Sequence, residues 1–498
     1  MARTISQTPS RALAEFRLLP RLTTAESVPA KVSLRAPLVT CPATGVTLHL
    51  NIPVASAAMQ AVSGPQMGIA LAKQGGVALV FCSQTIAAQA ESVARIKRHK
   101  AGFVEPRTVS PEATIREVAE LSRATGFSIF PVVDAAGMLV GIVSRKDYDP
   151  GRHEGRKVTE RMIPRARLEV GVEITDLSDA NALLLDGHHS VLPIVDRQGK
   201  LLSLVFKKDL EEYAENPLQV ADDRKRLIAA AAINTHDFEE RVPALVEAGA
   251  DALAVDSSDG YSFYQGRTLD WLRARYPSLP VVGGNVVTGA GFDFLVEHGA
   301  GAVKVGMGSG TICITQEQKG TGRGLATALL DVVAARDRHL ARTGRYIPVV
   351  ADGGVVTAKD IVIALALGAD TVVMGRYFAR MEESPSEKVV VNGRVMKAYW
   401  GEGSARAREW KTARYGQGVF VEGVEGLVEY AGKLADNLPE TLAMIRSSMA
   451  SCGCATLALL HQDAELELVS ALSIREGQVH DVYLPRTASD DGGRSWGE

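Results

Sequence analysis

One cysteine of this chain stands where a reactive group is expected. Residues 304–324 read KVGMGSGTICITQEQKGTGRG: a short apolar run ends in glycines at 306, 308 and 310, and Thr311, Cys313 and Thr315 follow. Glycines let backbone N–H groups turn around an anion, and no Cβ blocks its approach. A free cysteine is usually a buried, inert hydrophobe. On such a loop the competing reading is a nucleophile whose thiolate is favoured by backbone dipoles. Other segments match this one in character: Asp352-Gly353-Gly354, Gly375-Arg376 and Tyr399-Trp-Gly-Glu402. The glycines, with Thr311 and Arg376, suit one phosphate, Asp352 suits ribose hydroxyls, and Glu402 suits a base N–H. The alternative is that the glycines only make tight turns. A purine would give the cysteine its role. C2 accepts a soft nucleophile, the tetrahedral centre expels a substituent or a hydride, and a second substrate carries the hydride. Asp256-Ser257-Ser258-Asp259-Gly260 is the candidate contact for a dinucleotide, and no G-x-G-x-x-G follows a strand to suggest a Rossmann domain.

The elements that must position these residues form a repeating pattern. Eight short apolar or β-branched runs, at 54–56, 77–81, 227–231, 252–255, 281–283, 302–305, 349–351 and 371–374, alternate with helix-like stretches. Strand–helix alternation implies a parallel sheet, and eight repeats imply closure: an α/β fold, a (β/α)8 TIM barrel with its site at the C-terminal strand ends. The pattern breaks between the second and third runs, where residues 104–215 hold an internal repeat. Phe130-Pro-Val-Val-Asp134, Gly137-x-Leu-Val-Gly141 and Ser144-Arg-Lys-Asp147 return at one offset as Leu192-Pro-Ile-Val-Asp196, Gly199-x-Leu-Leu-Ser203 and Phe206-Lys-Lys-Asp209. Asp147 and Asp209 fall where a helix is predicted to begin, so each either caps it or holds a ribose hydroxyl. The expected division is an N-terminal arm and first part of the barrel (1–103), the inserted module (104–215), and the remainder with the cysteine loop and tail (216–498). Residues 380–432, polar and glycine-interrupted, read as an active-site flap or as a surface hairpin used in assembly.

Composition argues against several other classes. The chain has 498 residues, 46% hydrophobic and 23% charged, and a net charge of −3 gives no reason to expect nucleic acid or a membrane surface as partner. Five cysteines without regular spacing do not suggest a disulfide scaffold, and Cys452-x-Cys454, lacking a second ligand cluster, reads as structural. No apolar run reaches the ~18 residues of a membrane span. The N-terminus, MARTISQTPSRALAEF, does not read as a signal peptide, so the expected location is the cytoplasm.

Taken together, Ser56-Ala-Ala-Met59, Asp256-Ser-Ser-Asp-Gly260, Gly283-Gly-Asn285, the Cys313 loop, Ala351-Asp-Gly-Gly354 and Tyr399-Trp-Gly-Glu402-Gly resemble the IMP dehydrogenase/GMP reductase family over residues 15–485. The resemblance implies that Cys313 attacks purine C2 with Thr315 as its catalytic partner. It implies that Thr311, Gly353, Gly354, Gly375 and Arg376 hold the phosphate, that Asp352 holds the ribose, and that Met59 and Glu402 contact the base. Ser56 and Tyr399 are further substrate-side candidates. Asp256, Ser257, Ser258 and Asn285 lie on the nicotinamide side, and Gly308, Gly310 and Cys313 are candidates for a monovalent cation. The repeat resembles a tandem cystathionine β-synthase (CBS) pair, or Bateman module. That implies regulation by ATP or GTP, with Ser144, Asp147 and Asp209 as candidate contacts, although Phe206 stands where Ser or Thr is usual. The family implies a homo-oligomer, a tetramer or an octamer.

Two reactions divide the family. The dehydrogenase oxidises IMP with NAD and hydrolyses a thioimidate through an Arg-Tyr pair on the flap; the reductase converts GMP and NADPH to IMP and ammonia without hydrolysis. Arg414-Tyr415 is present, but its spacing from Trp410 is stretched relative to Trp-x-Arg-Tyr. Gln60 stands where many members carry Asp, and Glu476-Gly477-Gln478 replaces a cation-binding Glu-Gly-Gly. These departures, and a likeness to the CBS-containing branch of actinobacteria, lean the sequence reading to a GMP reductase, with IMP dehydrogenase as the alternative.

Overall fold

Small and β-branched residues at alternate positions allow eight short strands to close on one another. In the computed structural model, which describes residues 5–99, 106–175, 177–187, 189–207, 211, 215–408 and 421–480, these strands are β1 (Val54–Ser56), β2 (Val77–Val80), β3 (Ala230–Ile233), β4 (Ala252–Val255), β5 (Val281–Val286), β6 (Ala302–Val305), β7 (Val349–Asp352) and β8 (Thr371–Met374). They form a closed parallel barrel in the order β3-β4-β5-β6-β7-β8-β1-β2. Helices α1 (Pro65–Lys73), α2 (Ile86–Arg98), α3 (Phe238–Glu247), α4 (Phe263–Arg275), α5 (Gly289–Glu297), α6 (Leu325–Thr343), α7 (Ala358–Ala366) and α8 (Leu434–Ser451) follow the strands. Side chains alternate faces along a strand, so Ala55, Leu79, Ala230, Ala232, Ala252, Ala254, Val282, Ala302, Val350 and Val373 share one buried cluster. A hairpin, Ala36–Thr40 with Thr47–Leu50, adds Leu38, Val39 and Leu50 to it. The N-terminal arm is tied down where Phe16–Leu18 pairs antiparallel with Leu466–Leu468.

The third strand lies further along than the apolar run suggests. The apolar run spans 227–231, but Ile228 N–H donates to Val220 O (3.1 Å) and Ala229 N–H to Asp251 Oδ2 (2.8 Å) before barrel pairing begins at Ala230. Hydrophobicity is continuous across that change of partner, so it leaves no mark in the sequence. Residues 380–432, read as a flap or a surface hairpin, hold regular structure as well. Their described part contains a three-stranded antiparallel sheet, Lys388–Val391, Arg394–Trp400 and Glu425–Glu429. Valines at 389–391 and 395 support strands there despite the glycines.

The chain divides into two units. The barrel unit holds residues 1–98, 218–220 and 228–498, and the other holds 99–217 and 221–227. In the second unit the repeat is structural. Strand Ile129–Val133 pairs with Leu139–Ser144, and Val191–Val195 pairs with Leu201–Phe206. Asp134 Oδ1 accepts from Ala136 N and Met138 N, and Asp196 Oδ1 accepts from Gln198 N and Lys200 N. The two turns then bond reciprocally, Leu139 N to Gly199 O (3.1 Å) and Leu201 N to Gly137 O (3.0 Å). Asp147 does not cap the next helix: its Oδ2 accepts from Ser144 N (2.6 Å) and Ser144 Oγ (2.7 Å), while Asp149 caps Pro150–His153. Asp209 lies outside the described residues.

The barrel closes between β2 and β3, the two strands that the second unit separates in sequence. Gln89 on α2 spans this seam, donating to Val80 O (3.0 Å) and Ala232 O (2.7 Å). Arg241 on α3, fully buried, donates to Gln89 Oε1 (2.6 Å), Gln84 O (3.2 Å) and both oxygens of Asp237 (2.9 and 2.6 Å). Removing one partner of a buried charged network leaves the others unsatisfied and typically costs about 3–5 kcal/mol. Asp237 keeps some solvent contact, so Arg241→Met is expected to lose about 3 kcal/mol, at the low end of that range, read as a lower unfolding midpoint of the barrel unit. An unchanged midpoint would show that the seam does not depend on this network.

Candidate active site

The cleft lies at the C-terminal ends of the barrel strands. It is lined by Ala57, Met59, Ser258, Asn285, residues 306–313, Thr315, residues 352–356, Val373, Gly375, Arg376, Tyr399, residues 401–403, Glu422 and Gly423. At its centre Cys313 Sγ is 3.1 Å from Thr315 Oγ1, and Thr315 Oγ1 donates to Glu422 Oε2 at 3.1 Å. A threonine hydroxyl has one proton. With that proton given to Glu422, the thiol supplies the proton of the Cys313–Thr315 contact. Lys319 Nζ lies 3.8 Å from Glu422 Oε1.

The loop bearing Cys313 is held from two sides. Gly306 has φ +141, and a Cβ there would fall 1.9 Å from Asp352 O, so only glycine lets β6 pass this close to the end of β7. On the other side Cys313 bridges Gly423: Ile314 N donates to Glu422 O and Val424 N to Ile312 O, both at 3.1 Å. Gly353, with φ +96, lies against Ser309, whose Oγ is buried with no hydrogen-bond partner. Arg376, partly exposed in the same wall, has no ion-pair partner among the described residues. Tyr399 is buried beside Gly375 and bonds Thr311, and burial pushes its hydroxyl up to about 12, so it stays protonated.

Asp352 is fixed by a charge beneath the cleft. Lys304, 2% exposed, donates to Asp352 Oδ2 at 2.6 Å and lies 3.6 Å from Asp256 Oδ1. Asn285 Nδ2 donates to Asp352 Oδ2 (3.0 Å) and to Gly306 O (2.8 Å), leaving Asn285 Oδ1 buried and without a partner. Glu402, buried, accepts Gln60 N–H at 2.6 Å on Oε1 and the Ser83 hydroxyl on Oε2. Gln60 in turn accepts from Trp400 Nε1 (2.9 Å) and donates to Ser83 O (2.8 Å).

The structure thus brings Met59, Gly308, Gly310, Thr311, Cys313, Thr315, Asp352, Gly353, Gly354, Gly375, Arg376, Tyr399, Glu402, Asn285 and Ser258 to one cleft. Three candidates do not line it. Ser56 is fully buried, its Oγ 2.6 Å from Ser63 Oγ. Asp256 is drawn toward Lys304, and Ser257 Oγ closes a local turn on the backbone of Asp259. Arg414 and Tyr415 lie outside the described residues, as do 409–420 as a whole. Sequence reasoning missed Glu422 and Lys304. Lys304 had a signal, a lysine at an inward position of a barrel strand on the same face as Ala302. Glu422, one acid among several after the flap, had none. No group of three or more His, Cys, Asp or Glu among the described residues could hold a metal ion, and no helix there is long and apolar enough to cross a membrane.

Known proteins resemble this chain over nearly its whole length. Residues 12–480 match the IMP dehydrogenase / GMP reductase domain. The chain is 44% identical over 494 residues to an inosine-5′-monophosphate dehydrogenase of Tritrichomonas foetus, covering 97% of this chain and 98% of that one. It is 38% identical over 452 residues to the inosine-5′-monophosphate dehydrogenase of Escherichia coli strain K12, covering 88% and 91%. A crystal structure of GMP reductase from Trypanosoma brucei in complex with guanosine 5′-monophosphate superposes with a TM-score of 0.83 at 26% identity, over 96% of this chain and 99% of that one. The chain belongs to the IMP dehydrogenase / GMP reductase family of purine nucleotide oxidoreductases.

Proposed function

We propose that Cys313 forms a covalent bond with C2 of a purine nucleoside monophosphate, and that Thr315 and Glu422 move the protons this requires. The observation that carries the reading is the unbroken contact from Cys313 Sγ through Thr315 Oγ1 to Glu422 Oε2, 3.1 Å at each step. The thiol proton can pass along it to the carboxylate as the sulfur attacks. Arg376, Thr311 and the glycines of the opposing loops would take the phosphate, and the unpartnered Ser309 Oγ fits an oxygen of the same group. Asp352, held in place by Lys304, would accept from ribose hydroxyls, and Met59 and Glu402 would face the base. A nicotinamide nucleotide, NAD or NADPH across the family, accepts or supplies the hydride at C2. Asn285 fits such a group, because its buried Oδ1 lacks a donor and a carboxamide or hydroxyl would provide one. Ser258, on the cleft wall, is a second candidate contact. A monovalent cation would need backbone carbonyls of residues such as Gly308 and Gly310, and Gly310 O already accepts Cys313 N–H at 3.1 Å.

The comparisons favour the oxidative direction. Relatives at 44% and 38% identity are named dehydrogenases, and Arg414-Tyr415 supplies the pair that a hydrolytic step uses. In that reading C2 of IMP loses hydride to the nicotinamide, water cleaves the thioimidate, and XMP leaves. A second reading, reduction of GMP, rests on Gln478 in place of a cation-binding glycine, the stretched flap spacing and the GMP-bound structural neighbour. There the amino group leaves C2 as ammonia, hydride enters, and the thiolate departs to give IMP. In that direction the Thr315–Glu422 pair would protonate the leaving nitrogen.

We further propose that the second unit is a CBS-type regulatory module that binds ATP or GTP, with Ser144 and Asp147 in the first copy as contacts, and that the chain works as a homo-oligomer in the cytoplasm. The repeat and its paired turns support the first of these.

Parallel assays separate the directions: IMP with NAD followed as XMP and reduced cofactor, and GMP with NADPH followed as cofactor oxidation and ammonia. Product in one and none in the other decides between them, and none in either removes both. Cys313→Ala is expected to abolish turnover in both while retaining nucleotide monophosphate binding. Glu422→Gln is expected to lower kcat by roughly 10²-fold or more with little change in KM, and an unaltered kcat would remove Glu422 from the proton path. Deleting residues 104–215 is expected to eliminate ATP or GTP effects on rate, and persistence of those effects would place regulation elsewhere.

A further inference from the structure

The opposite end of the barrel unit carries a cavity that purine chemistry leaves unused. It lies at the N-terminal ends of β5, β6 and β7, beneath the C-terminal ends of α4, α5 and α6. Its volume of about 930 Å³ falls within the usual range of small-molecule sites. Leu272, Val281, Ala300 and Ile347, all buried, provide an apolar floor. One polar atom interrupts that floor. His339 Nε2 is buried with no hydrogen-bond partner, and its ring stands edge-on to Phe292 at 6.2 Å. Burial, with Arg342 and Arg345 nearby, holds His339 below its usual pKa, so the imidazole is neutral at pH 7. Such a group is commonly paired when buried, by protein, water or ligand.

The rim is cationic. Arg338 and Arg342 are exposed and have no ion-pair or hydrogen-bond partner among the described residues. Arg345 is anchored by a bond to Pro42 O (3.0 Å), and Arg273 is paired with Asp270 (2.9 Å). The carboxylates that face the cavity are Asp293 and Glu297, so guanidiniums outnumber acids four to two. An apolar floor, a single buried polar atom and two unpaired guanidiniums at the mouth form a set with one ligand chemistry in common.

We infer that this cavity binds a small amphipathic anion: a planar apolar body against the floor, an anionic head at Arg338 and Arg342, and a polar atom at His339 Nε2. Neither guanidinium lines the Cys313 cleft.

The test is calorimetric titration of the full chain with 2-naphthoate. Three comparisons accompany it: 2-naphthalenemethanol, which keeps the ring and lacks the charge; sulfate, which keeps charge and lacks the ring; and the variants Arg338→Ala/Arg342→Ala, His339→Phe and Arg376→Ala. One naphthoate per chain is expected, with affinity at least tenfold above that of the alcohol. The double arginine variant should remove that advantage; His339→Phe should leave naphthoate affinity within about twofold, since that probe offers Nε2 no polar atom, but should weaken 6-hydroxy-2-naphthoate several-fold. Arg376→Ala, in the cleft, should leave naphthoate binding unchanged, and the double variant should keep wild-type turnover. The inference is overturned if naphthoate fails to bind at millimolar concentration, if alcohol and naphthoate bind equally, if sulfate competes as well as naphthoate, or if Arg376→Ala rather than the rim variant removes binding.

Discussion

The bridge between Cys313 and Gly423 is the contact on which the cleft depends. Residues 306–315 leave β6 through three glycines and have no regular structure of their own until Thr315 begins a one-turn helix. Two backbone hydrogen bonds, Ile314 N to Glu422 O and Val424 N to Ile312 O, sew this loop to a segment more than a hundred residues away. Each such bond contributes only about 1 kcal/mol net, so the pairing holds because both sides are anchored elsewhere. The loop is pinned where Gly306 meets Asp352 O. The distant segment runs directly into the strand Glu425–Glu429, which pairs with Arg394–Trp400. That same sheet carries Tyr399, Trp400 and Glu402 toward the cleft, where Tyr399 bonds Thr311 and Gln60 and Ser83 receive Trp400 and Glu402. One bridge therefore sets where the thiol, its hydroxyl neighbour, the carboxylate and the far wall stand relative to one another.

A second constraint lies beneath the cleft. Lys304 is buried on β6 between Asp352 at the end of β7 and Asp256 just past β4, while Asn285 on β5 completes the set. Four adjacent strands each supply one member. Burying an ammonium costs several kcal/mol unless opposite charge and hydrogen bonds compensate it, and this one has two carboxylates within 3.6 Å. The arrangement contributes little to stability in comparison with an apolar core of the same volume. What it provides is orientation: an Asp352 carboxylate that accepts from two fixed donors cannot rotate freely. Asp256, which its sequence motif presents as a ligand contact, is thereby drawn into the support of Asp352. The same adjacency explains why Asp256 does not line the cleft while Asn285 and Ser258 do.

These arrangements show which features are legible in the sequence. Strand spacing and glycine at the strand ends suffice for a closed barrel and for most of the cleft, because backbone alternation and tight βα turns are local properties. Cys313 and Thr315 are legible for the same reason: two residues apart on one loop, they meet wherever that loop goes. Glu422 is not, because its relation to Thr315 exists only through pairing across a long stretch of sequence. Ser56 misleads in the opposite sense. It stands at the end of a barrel strand like the true cleft residues, but its hydroxyl turns to Ser63 and never reaches the surface. The displaced start of β3 belongs with these, since continuous hydrophobicity cannot mark where a segment exchanges one pairing partner for another.

That exchange explains how the barrel carries an inserted unit. A long insertion between neighbouring strands is tolerated when its ends lie together, because the entropy of closing a loop grows only slowly with loop length. Leu227 N donates to His99 O at 3.0 Å, and Ala221 bridges Leu227, so the second unit begins and ends at one point. Within the barrel unit β2 and β3 stay paired. Gln89 supports this pairing by donating to a carbonyl on each strand, and Arg241 holds Gln89 in position. The second unit is organised by its own reciprocal turns, Leu139 with Gly199 and Leu201 with Gly137. The pairings at the seam and between the two turns each lie within one unit.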